Sequence, residues 1–318
     1  MITAKIIADS VNVETKKRIT SFLLVYPRFI HAELMTHRAF NRNAASSRAI
    51  PFSKMVKMIQ ENIAGPIHWG AEQKGMQSGG EVEGINKSMA ISEWQKACSD
   101  AMEHATMMSG LGVHKSICNR LLEPFAHMTT LVTATEYVNF FNLRAEKQAM
   151  PEFQELAYQM LDLYVTNKPK ELKPGEWHLP YCDAHLETGM GVDLMLKIST
   201  ARAARTSYLT MENKIDIQKD FELHDGLLKN KHLSPFEHAA QACHATNTWE
   251  TDTEFGGWLR DRDNNRIPIL HGNMHGWKPY RKFIKDENMT KLTSTPRCFN
   301  GKIEDEIKFL LDRSCLEV

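Results

Sequence analysis

Apolar positions along the chain fall in blocks whose spacing alternates between strand-like and helix-like. The run TSFLLVYPRF (20–29) is apolar and partly β-branched and ends at a proline, which predicts a buried strand. The next stretch, IHAELMTHR (30–38), has helical spacing. Residues 63–90 are rich in Gly, Ser and Gln and predict a long surface loop. A helix is expected over much of 91–110, ending at Gly110 and Gly112, and another over HKSICNRLL (114–122). The second stops before Pro124, because a proline drives its predecessor out of the helical region. PEFQELAYQMLDLYV (151–165) opens with proline and keeps apolar residues at helical spacing, a clear helix.

The segment NKPKELKPGEWHLPY (167–181) holds three prolines and reads as a connector between two halves, 1–166 and 182–318. Beyond it, LMLKISTARAARTSY (194–208) and KDFELHDGLLKNKH (219–232) predict helices. Residues 246–277 are rich in Asn, Asp, Gly and Trp and read as irregular. Neither an internal repeat nor a low-complexity tract interrupts the chain.

Composition narrows the picture. A length of 318 residues suffices for one large domain or two modest ones. Lys plus Arg and Asp plus Glu both number 39, so the net charge is zero and no stable nucleic-acid partner is expected. The six cysteines (98, 118, 182, 243, 298 and 315) are scattered without a C-x-x-C pair, as expected of reduced thiols in a cytoplasm. The N-terminus lacks the pattern of a signal peptide, and no apolar run approaches the ~20 residues of a membrane helix.

Three polar constellations could carry chemistry. The first is Thr36-His37-Arg38 followed by Asn41 to Arg48, cationic and rich in donors; a solvated loop is its plain alternative. The second is Asn139-Phe140-Phe141-Asn142-Leu143-Arg144 with Gln148 and Glu152, or else a helix cap with a core phenylalanine pair. The third is His232-Leu233-Ser234-Pro235-Phe236-Glu237-His238, or else a helix-to-strand turn with a Ser-Pro corner. Arginines suit phosphate and carbonyl recognition because the guanidinium fork is planar and always charged.

Taken together these segments resemble the flavin-dependent thymidylate synthases. T-H-R-x7-S-x-R resembles that family's R-H-R-x7-S signature, NFFNLR its N-F-L-N-L-R segment, and SPFEHA its S-P-x-E-H segment. ARAARTSY (201–208) is similar to its A-R-V-S-Y stretch, and Arg120-Leu-Leu-Glu-Pro124 to its R-x-x-L-P stretch. The order differs: residues 20–165 carry the segments that come later in the family, and residues 194–245 the earlier ones. The resemblance therefore implies a circular permutation through the connector, with 1–318 forming a single catalytic domain. Permutation is tolerated where termini are exposed and close together.

The resemblance implies an α+β fold of mixed helices and antiparallel sheet, assembled as a homotetramer with active sites at subunit interfaces. It implies synthesis of dTMP from dUMP, with FAD as cofactor and NADPH and methylene-tetrahydrofolate as co-substrates, and no protein nucleophile or metal. By position, His37, Arg38, Asn139, Ser207, His232 and Ser234 would contact FAD. Ser46, Arg48, Arg120 and Arg144 would hold the nucleotide, with Arg48 and Arg144 essential to catalysis. Thr36, Ala44 and Gln148 depart from the family's Arg, Glu and His. These departures leave room for methyl or hydroxymethyl transfer to a related pyrimidine deoxynucleotide.

Other readings compete. Neither Cys182 nor Cys298 stands in the Pro-Cys context of a classical thymidylate synthase. His178-x3-Cys182-x2-His185 and His271-x3-His275 have the residue types of a zinc site without standard spacing. HGWKPYRKFIK (275–285) mixes cations and aromatics as a single-strand binding module would, or as an amphipathic surface segment or pocket lining would.

Overall fold

The computed structural model describes residues 1–75, 79–183, 189–207, 216–244, 258–260, 266–268, 273–285 and 287. Met1–Lys282 form one compact unit. Its centre is a hairpin of β1 (Thr3–Asn12) and β2 (Arg18–Pro27). The tight turn between them is set by Asn12, whose Oδ1 accepts from the backbone N–H of Glu14 at 3.0 Å and Thr15 at 3.3 Å. Next come α1 (His31–Leu34), β3 (Asn41–Ala44), α2 (Phe52–Glu61), α3 (Gly84–Gly110), α4 (Lys115–Leu122) and β4 (His127–Ala134). The first half closes with α5 (Val138–Arg144), α6 (Pro151–Thr166) and β5 (Lys170–Leu172). The strands form one sheet in the order β3-β4-β2-β1-β5, antiparallel except for the β1–β5 pair.

Period-two alternation gives this sheet two unlike faces. On β2, Phe22, Leu24 and Tyr26 are fully buried and share one core with Val132 and Ala134 of β4. Phe140 and Phe141 of α5 and Phe153, Leu156, Ala157 and Met160 of α6 cover that face. Each such side chain removed from water contributes about 1.5–3 kcal/mol. The opposite face receives the second half of the chain. There β6 (Trp177–His178), β7 (Ala240–Ala242) and β10 (Trp277–Pro279) form a small antiparallel sheet ordered β10-β7-β6. Ala240, Ala242 and Trp277 pack on Ile19 and Leu172.

A buried hydrogen-bonded chain crosses this second face and ties the halves together. Ser10 bonds His178 Nδ1 at 3.0 Å, and His178 Nε2 bonds Ser21 at 2.9 Å. Ser21 bonds Thr133 at 2.6 Å, Thr133 bonds His238 Nδ1 at 2.8 Å, and His238 Nε2 meets Asn43 Oδ1 at 3.4 Å. Burial lowers the pKa of His178 to about 4 and that of His238 to about 3, so both rings are neutral. One proton per ring satisfies all five contacts in a single direction. Ser10 donates to His178, which donates to Ser21; Ser21 donates to Thr133, which donates to His238, and His238 to Asn43.

Helices α7 (Val192–Thr206) and α8 (Ile217–Lys229) are joined by a buried ion cluster. Asp220, fully buried, accepts from Arg202 Nε at 3.2 Å and Arg205 Nε at 2.8 Å. The arrangement is the α+β class expected from the sequence.

Several boundaries differ from the sequence reading. IHAELMTHR is helical only over its first five residues, with a 3-10 turn at Arg28–Ile30 leading into α1. Helix α3 begins at Gly84, inside the segment expected to be loop, where Gly84 takes φ +60°. The Pro-rich connector contains β5 and β6. Within 246–277, residues 258–260 and 266–268 pair as antiparallel strands β8 and β9, and Trp277 opens β10. Backbone pairing in these places outweighs composition rich in turn formers.

Candidate functional site

Helix α1 stops after one turn because Arg42 takes over its end. Arg42 Nη1 donates to the carbonyl oxygens of Leu34 at 3.3 Å, Met35 at 2.9 Å and His37 at 3.3 Å. The Thr36-His37-Arg38 segment folds back, and the His37 ring settles between Phe40 (centroids 5.8 Å apart) and Phe140 (5.0 Å, edge-on). Arg144 Nε donates to His37 Nε2 at 3.1 Å, and Arg144 Nη1 bonds Glu33 at 3.0 Å. The guanidinium also stands 4.7 Å from the Phe153 ring centroid. His37 is lowered to a pKa of about 4, first by burial and then by Arg144 and Arg42. The imidazole is thus neutral, with its proton on Nδ1, since Nε2 accepts from arginine. Among the described residues Arg144 bonds through Nε and Nη1 only, and it lines a cavity of about 760 Å³ together with Glu33, Pro66, His68, Met150 and Glu152.

The second polar group forms where β3 ends. Ala45 N–H bonds Thr129 O at 2.8 Å, continuing the strand pairing, and Ser46 N–H bonds Ser207 O at 2.9 Å. The following turn is clamped by α4. Asn119 Nδ2 donates to Ser47 O at 2.7 Å and Ile50 O at 3.0 Å, and Lys115 Nζ to Ala49 O at 2.8 Å. An open depression of about 400 Å³ results, lined by Ser46, Arg48, Ala49, His114, Ser116 and Ser207. The Arg48 guanidinium and the Ser46 hydroxyl have no side-chain partner among the described residues. The N-terminal end of α4 lies here, with His114 Nδ1 accepting from Ser116 N–H at 3.2 Å. A guanidinium, two serine hydroxyls and a helix N-terminus make this depression suited to an anion.

The sequence-derived residues therefore divide. Ser46, Arg48 and Ser207 meet in one depression, although 161 and 159 positions separate Ser207 from the other two. His37 meets Arg144 at the other, and the two depressions share no lining residue. Arg120 is half-exposed and spent on Glu123 at 3.0 Å, lining neither. Glu123 also takes Arg28 at 3.1 Å and the Ser47 hydroxyl at 2.5 Å. Arg38, Asn139, His232 and Ser234 are exposed. Ser234 opens a 3-10 turn, Ser234–Glu237, anchored by Asn41 Nδ2 on Glu237 O at 3.3 Å and by an Arg281–Glu237 ion pair.

Sequence reasoning missed Glu33, His114, Ser116 and the Asp220 cluster. His114 could have been suspected from its place as the first residue of HKSICNRLL, just before the helix, the position of an N-cap. Nothing in sequence marks Glu33 as the partner of a residue 111 positions away.

The decoys resolve in physical terms. Both ring nitrogens of His178 are committed to serine hydroxyls, which leaves none for a metal. His185 and His271 lie outside the described residues. Trp277 is fully buried, with Nε1 donating to Lys17 O at 3.1 Å, so it cannot stack on exposed bases. Burial raises the Cys182 thiol to about 12 and the Cys243 thiol to about 11, and it also raises Cys98. Cys298 and Cys315 lie outside the described residues.

The protein is thus an α+β protein with a cation- and serine-lined depression at the junction of its two halves. Residues 18–170 match the model of the Thy1 family, described as thymidylate synthase complementing protein. No curated protein sequence matches the chain. Two solved structures of a UMP/dUMP methylase, PolB, from Streptomyces cacaoi share part of its backbone. The form bound with 5-Br dUMP is 14% identical with a TM-score of 0.42, covering 52% of this chain and 90% of the methylase. The form bound with 5-Br UMP is 15% identical with a TM-score of 0.43, covering 52% and 89%. Among the described residues no helix is long and apolar enough to cross a membrane.

Proposed function

We propose that this protein is a methyltransferase acting on dUMP, and specifically a flavin-dependent thymidylate synthase with its segments in permuted order. The family match supports the methyltransferase class. The observation that carries the finer reading is the meeting of Ser46 and Arg48 with Ser207 in one depression. These residues belong to signature segments from opposite halves, and a permuted chain must reunite them. Both segments lie in one compact unit, and His238 of SPFEHA reaches Ser21 of the β2 run through Thr133.

In this reading the Ser46–Arg48 depression takes the nucleotide phosphate through charge-assisted hydrogen bonds. Arg144 faces the pyrimidine carbonyls and stabilises negative charge developing on the ring. The two arginines occupy separate depressions in one chain, which suits a site completed by a second copy within a homotetramer. The exposed donors Arg38, Asn139, His232 and Ser234, with the Nδ1–H of neutral His37, fit a ligand rich in carbonyl and phosphate oxygens such as FAD. When bound, the flavin supplies the methylene relay and the hydride, drawing on methylene-tetrahydrofolate and NADPH. His37 is held by Arg144 in one tautomer, so its donor points the same way throughout turnover. The test is titration with FAD and dUMP, which should both bind. A folded protein that binds neither refutes the reading, and the product mass separates methyl from hydroxymethyl transfer.

A further inference from the structure

One carboxylate behind the Ser46–Arg48 depression stands where its helix gives it no support. Glu123 caps the C-terminal end of α4 and opens the 3-10 turn Glu123–Phe125. A negative charge at a helix C-terminus opposes the helix dipole. The R-x-x-L-P stretch that residues 120–124 resemble has leucine at this place. Three donors hold the carboxylate. Its Oε1 accepts from the Ser47 hydroxyl at 2.5 Å, Arg28 Nη2 at 3.1 Å and Arg120 Nη1 at 3.0 Å, and its Oε2 from Arg120 Nη1 at 3.3 Å. Ser47 is buried and the Arg28 side chain is 23% exposed, so these two belong to the frame of the fold. The Arg120 side chain is 56% exposed, and Glu123 is its ion-pair partner.

Helix geometry shows what that partnership prevents. Arg120 stands four residues after Ser116, which lines the depression. Residues four apart share one helix face, with about 5–6 Å between Cβ atoms, and long helical side chains lean toward the N-terminus. Without Glu123 the Arg120 guanidinium leans toward Ser116 and the depression. Glu123 lies three residues in the other direction and draws it toward the C-terminal end of α4. Arg120 therefore lines no part of the depression, whose described lining keeps one guanidinium, that of Arg48.

We propose that Glu123 sets how tightly this protein holds a nucleotide phosphate: by latching Arg120 it withholds a second guanidinium from the Ser46–Arg48 depression. This rests on the reading above that the depression takes the phosphate. Glu123 is a positioning residue and touches no ligand. Once the carboxylate is removed, Arg120 is free to donate to the phosphate, and a charge-assisted bond of that kind outweighs an exposed ion pair three residues apart. A restrained grip suits this site, because substrate and product carry the same phosphate, and binding both more tightly adds nothing to turnover.

The test is the binding of dUMP, deoxyuridine and inorganic phosphate to wild type, Glu123→Leu, Arg120→Ala and the double variant. Glu123→Leu should bind dUMP and inorganic phosphate about 10-fold more tightly than wild type, and deoxyuridine, which lacks the phosphate, equally. Arg120→Ala should leave all three affinities at the wild-type values, and in the double variant the gain should vanish. Glu123→Gln keeps an acceptor for the Ser47 hydroxyl, so it reads the latch if Glu123→Leu fails to fold; it should gain in the same direction. Equal or weaker binding of dUMP and phosphate in the folded Glu123 variants overturns the latch. So does a loss of dUMP or phosphate affinity in Arg120→Ala, a gain that deoxyuridine shares, or absence of phosphate binding in every protein. A folded wild type that binds no dUMP defeats the synthase reading instead, and the phosphate titrations on the same samples still decide the latch.

Discussion

Acid should weaken this fold through the histidines that join its halves, and a single substitution should remove a predictable share of that weakness. His178 and His238 are neutral when folded, with pKa values lowered to about 4 and about 3 by burial. The titratable groups facing them are Asp9, which raises His178, and His178 itself, which lowers His238. In the unfolded chain each returns to about 6.5. The unfolded state therefore takes up protons that the folded state refuses. Stability is full above pH ~6.5 and is lost as the pH falls toward the folded pKa values. At pH 5.5 an unfolded histidine is mostly protonated, which costs RT ln 11, or ~1.4 kcal/mol per ring and ~2.8 kcal/mol for the pair. That is a large part of a typical total of about 5–15 kcal/mol. Urea unfolding at pH 7.5 and 5.5 measures the loss. In His238→Gln the loss between these two pH values should shrink by ~1.4 kcal/mol, while stability at pH 7.5 falls by roughly 1–3 kcal/mol from the broken relay. Burial also lowers His31, His37 and His127 to about 4; their shares are common to both proteins and cancel in the difference. An unchanged pH dependence in the variant would show that His238 is not buried as a neutral ring.

Asp220→Ala should cost roughly 3–5 kcal/mol in chemical denaturation, since it strands Arg202 and Arg205 beside a fully buried site. Phe22→Ala should cost about 3–5 kcal/mol by emptying the core between the sheet and α5, without changing the ligands bound by the folded fraction. Changing Cys98, Cys118, Cys182 or Cys243 singly to Ala should leave turnover near normal. Loss of activity in a well-folded variant, with a nucleotide adduct on that cysteine in the wild type, would revive a thiolate mechanism. Arg48→Ala or Arg144→Ala should lower turnover by one to two decades, the value of a charge-assisted bond of roughly 1.5–3 kcal/mol, while flavin stays bound. Undiminished kcat/KM in both variants would sink the assigned roles.

Local signals were strong enough to reveal much of the fold from sequence. The apolar run at 20–29, the proline opening 151–165 and the glycines at the end of α3, Gly110 and Gly112, each set a boundary through backbone chemistry that acts over a few residues. What stayed hidden depends on distant partners. The end of α1 is decided by Arg42 reaching back over its carbonyl oxygens, and β6 exists because Trp177 and His178 pair with Gln241 and Ala240. The same division holds for the candidate site. Ser46, Arg48 and Ser207 were visible as motif members, and the structure shows that they share a depression. Arg120 was equally visible as a motif member, yet Glu123, three residues on, holds its guanidinium. Glu152 was visible in the sequence as a member of the second constellation; that it is buried beside a cavity is seen only in the structure.

The most direct test of the central claim is product analysis by mass spectrometry after the purified protein meets dUMP, methylene-tetrahydrofolate, FAD and NADPH. The account predicts dTMP that forms with all four components, disappears when FAD is omitted from flavin-stripped protein, and falls sharply in Arg48→Ala. Formation of dTMP by flavin-stripped protein without added FAD, or no modified nucleotide from folded protein that carries FAD and dUMP, would contradict it.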